Sequence, residues 1–528
     1  MLFNSFHFIF FFPIFIVLYF NLNHKHRWKI LLAGGYYFYF WHSPKFFYFL
    51  FISTVVDYFS AIYMDRQTEQ NKRKLWLAFS LICNLGILFV FKYAGFVNEN
   101  IKDVFEFFNL HYPVPDTVFK KLIMPVGISF YTFQSISYTL DVYKGITKPE
   151  KHFGYFSSFV AFWPTLINGP IERANNILPQ IKAAVDYDYN RVKLGFIRIL
   201  WGMFKKVVIA DRLAFYADNM YFHYNEVSGW TIIFGGLAFF FQVYCDFSGY
   251  SDIAIGCAKV LGINVMENFR TPYLSKSLPD FWTRWHISLS TWLTDYVFYF
   301  LGAYKSSTGK VIFNLIFVLT LCGLWHGANY PMIISFLGIG VLMAIRFLWQ
   351  KKVIRAIQPS NTYKLYKKYF PEWMHIVVTL SLVVFCFILF RTHVMTSIYN
   401  NRIIGLPLDV TIPADVTALI KQDIPSLLDT NPIHWYDMAL ALYTKIFFIT
   451  KADYFKEWLF AFGRLNAFLA ISYLLFLIGV EYKIGKQKIE DAIGSLSKPI
   501  RWATYLFILL SIVWFGELGS STFVYFQF

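Results

Sequence analysis

The sequence predicts an all-α fold, a polytopic helical membrane protein in which many helices cross the bilayer. Only 15% of its 528 residues are charged and 57% are hydrophobic. Soluble domains carry about 25% charged residues, so this chain lacks the charge to cover a water-exposed surface. Apolar stretches of about 18 residues or more, the length of a membrane-spanning helix, recur along it. They are continuously apolar and do not alternate with a period of two, which favours helices over a transmembrane barrel.

The net charge of +16 fits a membrane topology better than nucleic-acid binding. Basic clusters separate the apolar segments, the clearest being HKHRWK at 24–29 and the stretch from Arg346 to Lys368. Cytoplasmic loops collect Lys and Arg in this way, and no nucleic-acid motif accompanies the charge. If these basic clusters are cytoplasmic and each apolar segment crosses the membrane in turn, the N-terminus lies outside. The same alternation predicts that 392–460 is an extracytoplasmic loop region. A single membrane domain over 1–528 is predicted.

Two apolar stretches contain polar or helix-breaking residues. HFGYFSSFVAFWPTLINGPIER is interrupted at Pro164 and again at Gly169, which favours a broken or re-entrant helix. WTIIFGGLAFFFQVYCDFSGYSDIAIGCA becomes polar between Asp246 and Asp252, a run that includes Tyr250. Polar residues at membrane depth are costly and mark functional sites by default. Asp246 and Tyr250 are therefore candidate substrate-binding residues, and Asp246 and Asp252 are alternatively candidates for orienting a histidine.

The stretch SLPDFWTRWHISLSTWL, residues 277–293, carries the first of two tryptophan–histidine pairs, Trp285 and His286. It opens with the S-x-x-D form of a capping box, which predicts a helix beginning after Ser277. Trp282, Trp285, His286, Leu289, Trp292 and Leu293 recur at steps of three and four, so they would share one face. A tryptophan-edged amphipathic helix fits the membrane interface. His286 is then either a structural residue or a functional one.

The second pair, Trp325 and His326, lies in TLCGLWHGANYPM at the end of an almost wholly apolar run. A histidine in such a position usually faces the protein interior or a wet cavity. No H-x-x-H or H-E-x-x-H spacing exists, and the five cysteines occur singly, so no metal site is indicated. No G-x-S-x-G nucleophile elbow occurs either. These observations leave a histidine acting as general base on a hydroxyl as the favoured chemistry.

Taken together, these motifs are similar to those of a known family. WTRWHISLSTWLTDY and CGLWHGANY, with MPVGISFYTFQSISYTLDVYKG, NGPIERANNILPQI, YCDFSGYSDIAIG and ENFRTPYLS, resemble the membrane-bound O-acyltransferase family and its bacterial alginate O-acetyltransferase branch. The resemblance implies a multi-helix fold with a transmembrane tunnel. It implies that His326 is catalytic and that His286 is the second family histidine, on a helix lining the cytoplasmic mouth. Trp285 and Trp325 beside them are candidate substrate-binding residues.

The resemblance also implies the substrates. An acyl group, acetyl above all, would pass from a cytoplasmic thioester such as acetyl-CoA to a hydroxyl at the outer face. The acceptor would be an exported polysaccharide or a periplasmic acetyltransferase partner, and no cofactor would be permanently bound. The protein would lie among the lipids of a bacterial inner membrane. Thr283 and Thr294 replace arginines of the family pattern, which reduces the positive charge offered to an anionic donor.

A transporter of polysaccharide or lipid, without acyl-transfer chemistry, is the alternative. Transporters place discontinuous helices around a site at the membrane midplane. The interrupted stretch near Pro164 and the polar run up to Asp252 suit that arrangement. This alternative leaves both tryptophan–histidine pairs without a role.

Overall fold

The structure is a computed structural model and describes residues 1–114, 119, 124–225, 227–358, 360, 365, 369–403, 434–447, 458–459 and 463–516. Throughout these residues the regular secondary structure is helical, with no β-strand. The predicted all-α fold is confirmed.

The first helices in chain order are α1 Phe6–Asn21, α2 Arg27–His42, α3 Phe47–Asp65, α4 Gln70–Leu88, α5 Ala94–Phe107, α6 Ile128–Tyr143, α7 Phe153–Val160, α8 Trp163–Leu166, α9 Ala174–Lys182, α10 Tyr189–Met203, α11 Asp211–Phe222 and α12 Gly229–Val260. They are followed by α13 Leu278–Trp282, α14 Ile287–Leu293, α15 Thr308–His326, α16 Tyr330–Trp349, α17 Glu372–Phe390, α18 Thr392–Ile403, α19 Trp435–Phe447, α20 Arg464–Ile484, α21 Ile489–Gly494 and α22 Lys498–Phe515. A π-helical segment, Phe204–Ala210, joins α10 to α11.

Among the described residues, eight helical segments are long and apolar enough to cross a bilayer. They are Pro44–Asp65, Gln70–Phe107, Gly229–Val260, Thr308–His326, Tyr330–Ile357, Glu372–Ile398, Arg464–Ile484 and Lys498–Phe515. In α12, 83% of the apolar window is buried, against 11% in α22. The first is thus an interior helix, and the second turns most of its apolar side chains outward, where lipid would cover them. The prediction of a multi-pass membrane protein is confirmed.

The described residues form two compact units by their contacts. The first unit consists of Met1–Ile199 and Tyr250–Glu267. In it α3, α4 and α6 pack together. The stretch predicted as broken is interrupted, since α7 ends at Val160 and only the short α8 follows. Trp163 of α8 is fully buried among phenylalanine rings with centroids 5.4–6.4 Å away, those of Phe3, Phe8, Phe11, Phe12, Phe15 and Phe38.

The second unit consists of Leu200–Gly249 and Asn268–Phe528 and contains both tryptophan–histidine pairs. Its most extensive helix pairing is between α15 and α16. Within 392–460 the structure describes residues 392–403, 434–447 and 458–459, which include the helices α18 and α19, and the rest of that range lies outside the described residues. Its extracytoplasmic position, like the single domain over 1–528, stays a prediction.

Candidate active site

His326 is the last residue of α15 and lies at the sharp turn that leads into α16. Gly327 follows in an extended conformation, and its N–H donates to the Gly323 carbonyl oxygen at 3.2 Å. Asn329 caps α16, its Oδ1 accepting the Met332 N–H at 3.0 Å. Such caps satisfy amides that the first turn of a helix leaves unpaired. The WHGAN sequence therefore ends one helix, starts the next and leaves the imidazole at the turn.

The two helices that meet at this turn approach closely because small residues lie between them. A Cβ at Gly323 would lie 2.7 Å from the Met332 carbonyl oxygen and 2.8 Å from Phe336 Cβ. Further along, a Cβ at Gly340 would lie 3.0 Å from Ile316 Cα. Small residues allow close packing of membrane helices. This packing brings the first turns of α16 against the histidine.

His286 does not lie within a helix, contrary to the single amphipathic helix predicted after Ser277. The start is as predicted, since Ser277 Oγ accepts the Asp280 N–H at 3.3 Å. The helix ends after Trp282, however, and α14 begins only at Ile287. Between them His286 adopts a left-handed conformation, with φ 43° and ψ 54°. A non-glycine residue there costs about 1–3 kcal/mol and is maintained only by its surroundings.

Asn268 supplies much of that support. Its carbonyl oxygen accepts the Ile287 N–H at 2.9 Å, and its side-chain Oδ1 accepts both the N–H and the hydroxyl of Ser288, at 3.2 and 2.9 Å. Asn268 and Ser288 are both fully buried. Asn268 thus satisfies three donors, one through its backbone carbonyl and two through its side chain, at a buried place where solvent cannot take its part. The ENFRTP stretch therefore fixes the backbone that carries His286.

The structure brings the two histidines together. Their ring centroids are 6.4 Å apart, and the side chains of His286 and His326 are 1% and 7% exposed. Aromatic rings surround them. Phe336 stacks on His326 at 5.0 Å and Phe390 meets it edge-on at 5.7 Å, while Phe247 meets His286 edge-on at 4.6 Å. The result is a buried site with two imidazoles inside an aromatic wall.

The protonation of His286 follows from its burial. Removal from water lowers the pKa of His286 to about 3, because a low-dielectric interior disfavours the imidazolium. The ring is therefore neutral at physiological pH, with a proton on one nitrogen and a lone pair on the other. It can donate or accept a hydrogen bond without carrying charge.

The two tryptophans of the motifs differ in their surroundings. The ring centroids of Trp325 and His286 are 5.9 Å apart, so Trp325 forms part of the aromatic wall of the site. Trp285 is packed among other aromatic side chains, stacked on Phe281 at 5.4 Å and on Phe240 at 5.6 Å. The surroundings of Trp285 are those of a packing residue that holds the segment before His286. Substrate contact by either tryptophan stays a prediction.

Asp246 and Tyr250 are both buried, and their contacts are defined. Lys206 Nζ lies 2.6 Å from Asp246 Oδ1 and 2.7 Å from Asp211 Oδ1, so the Asp246 carboxylate is ion-paired with a lysine that it shares with Asp211. Tyr250 belongs to the first unit, where its ring packs 4.6 Å from Phe3. Asp252 is likewise engaged, by Arg198 at 2.6 Å. Roles for these residues toward substrate or histidine stay predictions.

A mostly buried carboxylate, that of Glu481 on α20, supports the same region; its side chain is 11% exposed. Its Oε2 accepts the hydroxyls of Tyr244 and Tyr273 at 2.7 and 2.8 Å, and its Oε1 lies 3.9 Å from Lys205 Nζ. The Tyr244 ring packs 6.4 Å from Trp285. Glu481 therefore connects α20 to Tyr244, whose ring packs against Trp285, the residue before His286.

Sequence reasoning missed several of these residues. Some of them could have been found from the sequence. Lys206 belongs to a lysine pair that interrupts an otherwise apolar run, and Asn268 lies in a motif already singled out. Phe247 likewise lies in a motif already singled out, YCDFSGYSDIAIG, whereas Phe336 and Phe390 had no signal, because 22% of the residues are aromatic and no single phenylalanine stands out. Among the described residues no three His, Cys, Asp or Glu side chains are grouped as a metal ion would require.

The fold and site define a class of protein, a polytopic helical membrane protein in which one histidine at the end of a spanning helix meets a second from an irregular segment, both buried. Comparison with known proteins identifies that class further. The family model for the membrane-bound O-acyltransferase family matches residues 150–389. The chain belongs to this family, and it is a membrane acyltransferase.

Individual relatives agree with this assignment. The chain is 37% identical over 394 residues to a Pseudomonas aeruginosa protein named "Probable alginate O-acetylase AlgI", covering 74% of this chain and 72% of the relative. It is 34% identical to the peptidoglycan O-acetyltransferase of Helicobacter pylori, over 60% of this chain and 63% of that one. It is 30% identical to the teichoic acid D-alanyltransferase of Bacillus subtilis, over 53% and 72%. The predicted family and enzyme class are confirmed, and the transporter alternative is set aside.

Proposed function

We propose that this protein transfers an acetyl group from a cytoplasmic thioester such as acetyl-CoA to a hydroxyl at the outer face of a bacterial inner membrane. The acceptor is an exported polysaccharide or a periplasmic acetyltransferase partner that completes the transfer. The observation that carries the proposal is the buried pair of imidazoles, His286 and His326, with centroids 6.4 Å apart. The thioester is a substrate, and no permanently bound cofactor takes part.

His326 acts as the general base in this proposal. The acceptor oxygen bonds to the thioester carbonyl carbon while the imidazole takes the hydroxyl proton. The C–S bond then breaks, and the leaving thiolate receives that proton from the imidazolium, which yields an ester and a free thiol. No acyl-enzyme is needed, since holding both substrates in one site supplies much of the rate.

His286 acts as a neutral hydrogen-bond donor or as a positioning group beside the reacting carbonyl. Its depressed pKa keeps it uncharged at physiological pH. A neutral N–H aimed at the carbonyl oxygen would stabilise the negative charge that develops there. Because its backbone is fixed through Asn268, its orientation is set before substrate binds.

The aromatic wall would serve the reaction by excluding water. Water is a competing acceptor that would hydrolyse the thioester. Phe336, Phe390 and Phe247 pack directly on the two imidazoles. Trp325 would contact the acyl group at the same wall. Substrate contact by Trp285, Asp246 or Tyr250 would compete with the aromatic and ionic contacts that these side chains already make.

The predicted topology supports a reaction near the outer face. Arg346 lies near the end of α16 and begins the basic stretch assigned to the cytoplasm, while His326 lies just before the start of that helix. A helix of this length extends about 30 Å. The histidine would therefore lie toward the opposite face, with the N-terminus also outside, and the thioester would reach in from the cytoplasm. His286, 6.4 Å away, would lie at the same depth and not at the cytoplasmic mouth that the resemblance implies.

The relatives support an acetyl group and a surface polymer. Two of the three proteins above are named for O-acetyl transfer, and all three names refer to cell-surface polymers. D-alanyl transfer belongs to the least identical of them.

The proposal is tested with purified protein in proteoliposomes. Acetyl-CoA labelled in the acetyl group is supplied on one side, and either polysaccharide or a periplasmic acetyltransferase on the other. Label should appear as an alkali-labile ester on one acceptor. Label that remains on the thioester with every acceptor, while the same protein transfers a D-alanyl thioester, would overturn the acetyl assignment.

A further inference from the structure

A fully buried carboxyl group, Asp57, lies in the first unit within a candidate membrane span. It is on α3, which packs against α4 and α6. All three helices place polar side chains around it that are at most 2% exposed, namely Ser53, Thr54, Ser60, Ser80, Asn84, Ser135 and Thr139. Polar residues cost energy in this environment and are functional by default. Nothing in the acyl-transfer chemistry uses this cluster.

One oxygen of Asp57 is well satisfied. Oδ1 accepts the Ser80 hydroxyl at 2.6 Å and the Asn84 side-chain amide at 2.8 Å. The Asn84 oxygen in turn accepts the Ser53 hydroxyl at 2.5 Å. The two donors from α4 therefore both hydrogen-bond to the same carboxyl oxygen, Oδ1.

No cationic side chain among the described residues pairs with Asp57. The ionisable neighbours that interact with it are Cys83 and Tyr138, and both are uncharged at neutral pH. An isolated carboxylate in a low-dielectric interior is strongly unfavourable unless its charge is compensated. Some positive species, a proton or a metal cation, must therefore accompany it.

Three further oxygens are buried at the same place. Asp57 Oδ2, Ser60 Oγ and Ser135 Oγ have no well-formed hydrogen bond among the described residues. Ser60 follows Asp57 by three positions on the same helical face, and the Ser135 hydroxyl of α6 lies within hydrogen-bonding range of the carboxyl group. Buried polar atoms without partners are rare and call for an explanation.

We propose that Asp57, Ser60 and Ser135 form a binding site for a small monovalent cation, sodium, between α3, α4 and α6. Carboxylate and hydroxyl oxygens are the ligands that hard cations prefer. A single carboxylate balances one positive charge, which disfavours a divalent ion. A proton on Oδ2 would donate one hydrogen bond and leave a hydroxyl oxygen unused, whereas a cation contacts all three oxygens. The bound ion links α3 to α6 and stabilises the unit.

The test is thermal unfolding of the purified full-length protein in sodium, potassium or choline chloride at equal ionic strength. Sodium should raise the Tm of the wild type saturably, by about 2 °C or more, relative to choline. Asp57→Asn should abolish the sodium effect, and Ser60→Ala should shift it to higher sodium concentration. Asp65→Asn, at an exposed carboxylate at the end of the same helix, is the matched control and should respond as the wild type does.

Binding of radioactive sodium by the wild type gives a readout that does not depend on the variants folding. Saturable binding displaced by excess unlabelled sodium but not by choline supports the site. A wild-type Tm that is equal in all three salts, with no saturable binding, would overturn it and assign a protonated Asp57 or a bound water instead. A sodium effect that persists in Asp57→Asn would overturn it as well.

Discussion

The imidazoles of His286 and His326 lie with ring centroids 6.4 Å apart, although one belongs to an irregular segment and the other to the end of a spanning helix. At this separation the two rings share one buried region of the second unit. It makes the pair a single site, and the following predictions depend on it.

Acidification should destabilise the protein through His286. Its pKa is about 3 in the folded protein and about 6.5 when unfolded, so between these values the unfolded chain binds the extra proton. Stability must therefore fall as the pH decreases from 6.5 toward 3. His286→Gln removes this contribution. As the pH decreases from 6.5 toward 3, the Tm of the wild type should therefore fall more than the Tm of the variant. A Tm difference that does not depend on pH would contradict the buried, neutral state.

Loss of the Asn268 side chain should disturb the histidine segment. Asn268→Ala leaves the Ser288 N–H and hydroxyl without their acceptor. Each buried unsatisfied group costs about 1–3 kcal/mol, so we expect a lower Tm together with a lower kcat. Asn21→Ala, at an exposed asparagine whose amide bonds only to its own helix, is the control. Normal kcat in Asn268→Ala would show that His286 is held by other contacts.

The Glu481 carboxylate should contribute to stability and activity because it accepts hydrogen bonds from the hydroxyls of two tyrosines. Glu481→Ala removes the oxygen that accepts both hydroxyls, and we expect reduced stability and a reduced kcat, since Tyr244 packs on Trp285. Glu481→Gln keeps an acceptor oxygen and should recover most of the loss. Thermal unfolding and steady-state kinetics distinguish these outcomes. If the glutamine variant is as impaired as the alanine variant, the negative charge beside Lys205 is the important feature.

The close approach of α15 and α16 should tolerate no added side chain. Gly323→Ala places a Cβ 2.7 Å from the Met332 carbonyl oxygen, so the helices must separate. The expected cost is about 1–3 kcal/mol, with loss of activity because His326 lies at the adjoining turn. Gly479→Ala is the matched control, since a Cβ there meets nothing within 4 Å and alanine favours the helix. Equal Tm values for the two variants would be inconsistent with the packing described.

Local features of the site could be predicted from the sequence, and non-local ones could not. The Ser277 cap was predictable because it depends on the next three residues, and the place of His326 was predictable because the apolar run before it is continuous. The interruption at His286 was not, because its left-handed backbone depends on the hydrogen bonds that Asn268, 18 positions earlier, accepts from Ile287 and Ser288. The spacing of apolar residues along a helix carries no information about hydrogen bonds to a distant residue.

The same distinction applies to charge. The sequence placed Asp246 and Asp252 at membrane depth but not their partners, because Lys206 and Arg198 come from another helical segment. Pairing of buried ions is decided by tertiary packing. The aromatic wall was equally hidden, since its phenylalanines come from α12, α16 and α17.

The most direct test of the central claim is transfer of labelled acetyl groups by His326→Ala, compared with wild type and with His24→Ala, which alters an exposed loop histidine. Loss of a general base should lower kcat by about 100-fold or more, while the His24 variant retains full activity and all three proteins unfold at similar temperatures. Undiminished kcat in His326→Ala would contradict the account.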